Sequence, residues 1–259
     1  MQFHFYKYQG TGNDFVLIDN RKLIFPKENT SLVKDICDRR FGIGADGLML
    51  LENTDGFDFK MVYYNSDGNE STMCGNGGRC ISAFSKYLGI ADTKGTFLAI
   101  DGSHEFVISN DEVQLKMIDV AEISNEDNNY VLCTGSPHYV SFRNEINKTD
   151  IVSEARKIRY NDTYKTRGIN VNFAEEKDGK IWMRTYERGV EDETLSCGTG
   201  TVAVALATAE KNNISKGRIE ILTPGGNLGV SFVKEGTTFT DIWLEGPAKL
   251  VFEGTININ

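Results

Sequence analysis

The chain has 259 residues, with 28 Lys and Arg against 37 Asp and Glu and a net charge of −9. No basic run marks a phosphate-backbone footprint, so a nucleic-acid partner is not expected. No segment reaches the roughly 18 apolar residues of a membrane span, and residues 1–16 lack the continuous apolar core of a targeting segment. Five cysteines, an odd number with no CxxC pair, fit a reducing compartment better than a disulfide framework. A cytoplasmic location without a membrane partner is the expectation.

In chain order, helical spacing begins after Thr30-Ser31 with Leu32, Val33 and Ile36, where N-cap residues stand at the start. Period-two alternation predicts strands over 57–64 and 113–118. Between them, Cys74-Gly75-Asn76-Gly77 opens a stretch whose residues 80–85 carry no charge. The polar run 124–129 is the expected connection between halves. A second amphipathic helix follows Thr149-Asp150 with Ile151, Val152, Ala155 and Ile158, and a further strand covers 181–186. Cys197-Gly198-Thr199-Gly200 then opens the charge-free stretch 201–209, and Pro224-Gly225-Gly226-Asn227 turns into a strand at 228–232. A helix apolar on every side must be buried on every side, so each tetrad is expected to begin a central helix wrapped by sheet.

The tetrads belong to an internal repeat. Cys197 follows Cys74 by 123 residues, and Gly135-Ser136-Pro137-His138 follows Gly12-Asn13-Asp14-Phe15 at the same offset. Tyr186 matches Tyr63 at 123, whereas Gly168-Ile169-Asn170 matches Gly42-Ile43-Gly44 at 126. The order of blocks is preserved, so two domains of similar fold are expected. Their predicted limits are residues 1–120 with 250–259, carrying Cys74, and residues 121–249, carrying Cys197.

A cysteine placed just before the free N–H groups of a helix feels the positive end of the macrodipole, which favours the thiolate. The glycines beside it let a ligand approach the backbone, and the unpaired N–H groups suit a carboxylate or phosphate. Proton removal α to a carboxylate needs a base, an anion stabiliser and, for inversion, an acid on the opposite face. One thiolate and one thiol supply both proton roles, which is the logic of a two-base racemase without pyridoxal or any other cofactor. Three histidines, no HExxH and no cysteine cluster at ligand spacing give a metal site no support. Cys37 and Cys80 fall in apolar helical patterns and are expected to be buried, and Cys133 is read as structural.

Several motifs carry a close resemblance over nearly the whole chain. They are Gly12-Asn13-Asp14-Phe15, Asn65-Ser66-Asp67-Gly68, Met73-Cys74-Gly75-Asn76-Gly77-Gly78-Arg79-Cys80, Pro137-His138, Gly168-Ile169-Asn170, Tyr186-Glu187-Arg188-Gly189 and Ser196-Cys197-Gly198-Thr199-Gly200. With them the sequence resembles the diaminopimelate epimerase family. The resemblance implies an α/β fold of the α+β type, with two pseudo-symmetric domains, each a mixed, largely antiparallel sheet curled around a central helix, and an active site in the cleft between them. It implies a cofactor-independent isomerase that interconverts LL- and meso-diaminopimelate, a small-molecule substrate of lysine and peptidoglycan precursor synthesis. It makes Cys74 and Cys197 the acid–base pair and gives Gly75, Asn76, Gly198 and Thr199 the carboxylate of the reacting centre. Asn13, Asn65, Asn170, Glu187 and Arg188 would line the distal pocket, with Arg188 gripping the second carboxylate bidentately. His138 and Glu187 would tune the thiols. The final strand, 250–259, would return to the first domain. A homodimer is left open.

Two departures from the family pattern stand out. Ser136 replaces an Asn before Pro-His, and Gly47 replaces a Gln after the Gly-Ile-Gly segment. One extra residue also falls in Val190-Glu191-Asp192-Glu193. Competing readings are a proline or hydroxyproline type cysteine racemase, a thiol redox protein, and a non-catalytic binder of an amino acid or dicarboxylate. A second charged recognition site at Glu187-Arg188 argues against the first, and cysteines at both anion sites against the last.

Overall fold

The computed structural model describes residues 2–110, 112–127 and 129–257. Two compact units are present, Met1–Leu115 with Gly246–Asn259, and Lys116–Glu245. The first contains β1 (Gln2–Gly10), β2 (Asn13–Asp19), α1 (Thr30–Cys37), β3 (Gly47–Glu52), β4 (Phe59–Asn65), α2 (Gly75–Tyr87), β5 (Lys94–Ala99), β6 (Gly102–Ser109) and β7 (Glu112–Lys116), at whose end the chain leaves the unit. The second contains β8 (Ser124–Glu126), β9 (Asn129–Cys133), β10 (Pro137–Phe142), α3 (Ile151–Arg159), β11 (Asn170–Lys177), β12 (Lys180–Glu187), β13 (Asp192–Thr194), α4 (Gly198–Lys211), β14 (Lys216–Thr223), β15 (Gly226–Glu235) and β16 (Thr238–Pro247). The chain then returns to the first unit as β17 (Lys249–Asn257), antiparallel to β1. Ile258 and Asn259, the last two residues of the expected returning strand, lie outside the described residues, as does Met1.

Each unit is a mixed, largely antiparallel sheet around one central helix. In the first, neighbours run β17, β1, β2, β3, β4, β5, β6, β7, with parallel pairs at β2/β3 and β4/β5. In the second they run β8, β9, β10, β11, β12, β14, β15, β16, with parallel pairs at β10/β11 and β12/β14, and β13 added beside β12. The returning β17 thus fills in the first unit the place that β8 fills in the second.

Helix α2 packs on β1, β2, β3 and β6, and α4 on strands from β9 to β15. Residues 201–209 are all buried, and residues 80–85 are buried apart from half-buried Ala83. The alanines of α4 present so little bulk that strands close around it, and no face is left for a charge. Both helices begin unusually close to the sheet. A Cβ at Gly77 would stand 2.3 Å from Met49 Cε, and one at Gly200 would stand 2.6 Å from Asn172 Oδ1. Glycine at these two matched positions therefore lets the helix start touch the strand beneath it.

The peripheral helices follow their amphipathic pattern. On α1, Leu32, Val33 and Ile36 pack with Phe3, Val16, Ile18 and Leu50, while α3 sets Ile151 and Ala155 against Val171, Phe173 and Tyr186. Asp150 caps α3 by accepting from Ser153 N–H at 3.2 Å. The cap of α1 is Asn29, one residue before the expected Thr30-Ser31, its Oδ1 accepting from Leu32 N–H at 3.1 Å.

Two expectations need correction. The polar run 124–129 does not connect the units: β8 and β9 pair there as an antiparallel hairpin within the second unit, and Asn128 lies outside the described residues. Its polarity reflects an exposed sheet edge, which solvent-facing side chains suit. The ladder also equates Asn170 with Gly47, not Gly44. Phe15 faces Gly47 across β2/β3, and His138 faces Asn170 across β10/β11. In the first unit residues 42–46 form a loop before β3, whereas β11 begins two residues after Gly168.

Candidate active site

Cys74 and Cys197 are the N-cap residues of α2 and α4, both in extended backbone. Gly77 N–H donates to Cys74 Sγ at 3.2 Å, so the sulfur takes the place of the usual capping oxygen. Cys197 makes no such bond, and its Sγ instead lies 3.5 Å from Thr199 Oγ1. Cys74 is half-buried and Cys197 buried.

In the first unit, Asn76 sits in the first turn of α2 and its Nδ2 donates to Asn13 Oδ1 at 3.3 Å. Asn13 in turn donates to Asp46 Oδ2. Burial would raise the pKa of neighbouring Asp14, but hydrogen bonds from Arg39 and Lys7 outweigh it and lower it to about 2. Asn65 closes β4 opposite Gly47. The structure therefore gathers Asn13, Cys74, Gly75 and Asn76 at one helix start, with Asn65 at the end of the strand paired with β3.

The second unit holds a polar relay. Thr185 Oγ1 donates to Asn172 Oδ1 at 3.0 Å, which fixes that amide so that Nδ2 donates to Tyr139 O at 3.1 Å and to His138 Nδ1 at 3.2 Å. With Nδ1 accepting, the imidazole proton is on Nε2 and is donated to Thr199 Oγ1 at 2.9 Å. Thr199 Oγ1 in turn lies 3.5 Å from Cys197 Sγ, within hydrogen-bond reach of the sulfur. Burial, reinforced by the charge of Arg188, lowers the His138 pKa to about 3 and keeps the ring neutral.

Around this relay, Asn170 Oδ1 accepts from Arg188 N–H at 2.9 Å, and Asn170 Nδ2 donates to Ser136 Oγ at 2.9 Å. Arg188 Nη2 reaches the same Ser136 oxygen at 3.4 Å. Ser136 thus joins the Asn and the Arg that the resemblance assigns to the distal pocket. Glu187 accepts from Thr194 Oγ1 at 2.5 Å. The loop with the extra residue is pinned by Glu191, which accepts from Arg159 at 2.9 Å, Tyr160 at 2.9 Å and Tyr186 at 3.1 Å.

At Gly47 the space a side chain would take is filled. An added Cβ would lie 2.5 Å from Tyr63 Cε2 and 2.5 Å from Tyr64 O. The Tyr63 ring stands where a Gln stem would begin. Cys37 and Cys80 are buried, and burial pushes each thiol up to about 12. Cys133 is exposed at the end of β9.

Asn172 and Thr185 were not singled out by the motifs. Asn172 is a fully buried polar residue two positions after Asn170 and on the same sheet face, and that alternation is the signal that marks it. No helix among the described residues is long and apolar enough to cross a membrane.

This fold is shared with a PhzF-family phenazine biosynthesis protein of Bacillus anthracis, at TM-score 0.76 and 13% identity over all of both chains. A hydroxyproline epimerase from Agrobacterium vitis matches at TM-score 0.70 and 15% identity, over 98% of this chain and 92% of that one. These define the class, a duplicated sheet-wrapped helix. Within it the chain belongs to the diaminopimelate epimerase family, whose model matches residues 5–121 and 130–251. The diaminopimelate epimerase of Flavobacterium psychrophilum is 56% identical over 97% of this chain and 99% of its own length. That of Chlorobaculum tepidum is 40% identical over 96% and 99%.

Proposed function

We propose that this protein is a cofactor-independent isomerase that interconverts LL- and meso-2,6-diaminopimelate in lysine and peptidoglycan precursor synthesis in the cytoplasm. The observation that carries the reading is a cysteine at the N-cap of the central helix in both units of a member of this family. One thiolate takes the α-proton while the other thiol delivers a proton to the opposite face, and the reverse reaction exchanges their roles. Gly75, Asn76, Gly198 and Thr199 hold the α-carboxylate on helix N–H groups as charge builds on it. Asn13, Asn65, Asn170, Glu187 and Arg188 take the distal ammonium and carboxylate, and His138 supports Cys197 through Thr199. Each half, residues 1–120 with 250–259 and residues 121–249, thereby contributes one proton-transfer group.

Proton NMR of LL-diaminopimelate with reduced enzyme in D₂O tests this. Expected is α-proton loss with appearance of the meso isomer, abolished by Cys74→Ala and by Cys197→Ala. Absence of exchange in reduced wild type would reject this substrate, and silence across a panel including proline and hydroxyproline would favour a binding protein.

A further inference from the structure

Arg79, the fifth residue of α2, is fully buried. Its Nη2 donates to Asn76 Oδ1 at 3.0 Å and to Thr11 Oγ1 at 3.2 Å, and its Nη1 to Gly75 O at 3.2 Å. Its Nε has no hydrogen-bond partner, and none of the ion pairs among the described residues includes it. Asp14 and Asp46, on the Asn13 side of this helix start, pair with Lys7 and Arg39. Burial lowers the Arg79 pKa to about 10, against the pull of Cys80 and Cys74, so the group stays a cation at neutral pH.

A buried charge without a counter-ion is costly, and the architecture does not require one here. At the repeat offset of 123 the second unit has Val202, fully buried at the same place in α4. There the residue matching Asn76 is Thr199, held by the neutral ring of His138, and the residue matching His138 in the first unit is Phe15. One helix start is backed by a buried cation and its twin by a buried uncharged relay, with exposed Arg188 the cation that acts on its histidine.

We infer that Arg79 is a positioning residue that makes the Cys74 helix start the more strongly anion-attracting of the two. Its guanidinium fixes the Asn76 side chain, and its charge is balanced when a carboxylate occupies the N–H groups of that helix. The identity of this carboxylate as the substrate's rests on the proposed function, but the charge asymmetry does not.

Alkylation with iodoacetate and iodoacetamide, resolved by site through peptide mass spectrometry, tests it without a substrate. Both reagents attack the thiolate, so the ratio of their rates cancels thiol ionisation and general loosening and reports attraction for a carboxylate. The iodoacetate to iodoacetamide ratio is expected to be higher at Cys74 than at Cys197 in wild type. In Arg79→Gln it should fall at least about fivefold at Cys74 and stay constant at Cys197, while Arg79→Lys keeps it within about twofold, as a retained charge near the site requires. An unchanged ratio at Cys74 in folded Arg79→Gln overturns the inference. Should that variant fail to fold, a wild-type ratio at Cys74 no higher than at Cys197 does the same. The D₂O assay on the same wild-type sample separates the two readings: a charge asymmetry without epimerisation rejects only the proposed substrate.

Discussion

Asn172 donates to His138 Nδ1 at 3.2 Å, and this one bond decides which imidazole nitrogen carries the proton. The bond is directional because Thr185 holds the other end of the amide at 3.0 Å. Its consequence reaches Cys197, because Thr199 Oγ1, which accepts from Nε2 at 2.9 Å, lies 3.5 Å from the sulfur.

Asn172→Leu removes that donor and frees the other tautomer. The expected outcome is a fall in kcat of at least about tenfold with a smaller change in KM, because tautomer errors act on proton transfer more than on binding. Steady-state kinetics on folded variant protein checks it, and an unchanged kcat would show that the tautomer has no catalytic consequence.

The buried neutral ring also shapes acid stability. His138 has its pKa lowered from 6.5 to about 3. Between these values the unfolded chain binds a proton that the folded chain refuses, so this contribution is present above pH 6.5 and is lost as pH falls toward 3. Urea unfolding at pH 8, 6 and 4.5 should show falling stability, with a shallower fall in His138→Gln. Asp14, with its pKa lowered to about 2 from 3.8, loses its own contribution as pH falls from 3.8 toward 2, below the three pH values of this test.

Gly47→Ala pushes a methyl group into the Tyr63 ring and the Tyr64 carbonyl, both 2.5 Å away. Overpacking of this kind costs about 1–3 kcal/mol. Adding Tyr63→Val should recover only part of the loss, because the carbonyl clash remains. Denaturant midpoints of the single and double variants measure both effects.

Native iodoacetamide labelling at pH 8 should leave Cys37 and Cys80 unmodified and modify exposed Cys133. Thiols pushed up to about 12 are ionised in about one molecule in ten thousand at that pH, and burial adds a steric barrier. Label at Cys80 in folded protein would contradict the packing of α2.

Ser136→Ala removes the oxygen shared by Asn170 and Arg188. If these residues bind the distal end of the substrate, KM should rise several-fold while kcat changes less, the pattern of lost ground-state binding.

The sequence by itself determined the duplication, the two buried central helices and the position of a cysteine at the start of each. Those features are local or periodic: a charge-free helical stretch, a glycine-rich turn and a repeated spacing survive projection onto one dimension. What only the tertiary structure decided depends on contacts between residues far apart in the chain. The equivalence of Asn170 with Gly47 is a ladder register, set by which strand residues pair, and the loop before β3 hides it from a count of positions. The Asn172, His138 and Thr199 relay joins two strands and a helix start, and the alternation of Asn172 with Asn170 marks a shared face without naming its partners. Arg79 shows the same limit: quoted within its motif, it reveals its uncompensated charge only when folding removes it from water and places no carboxylate beside it.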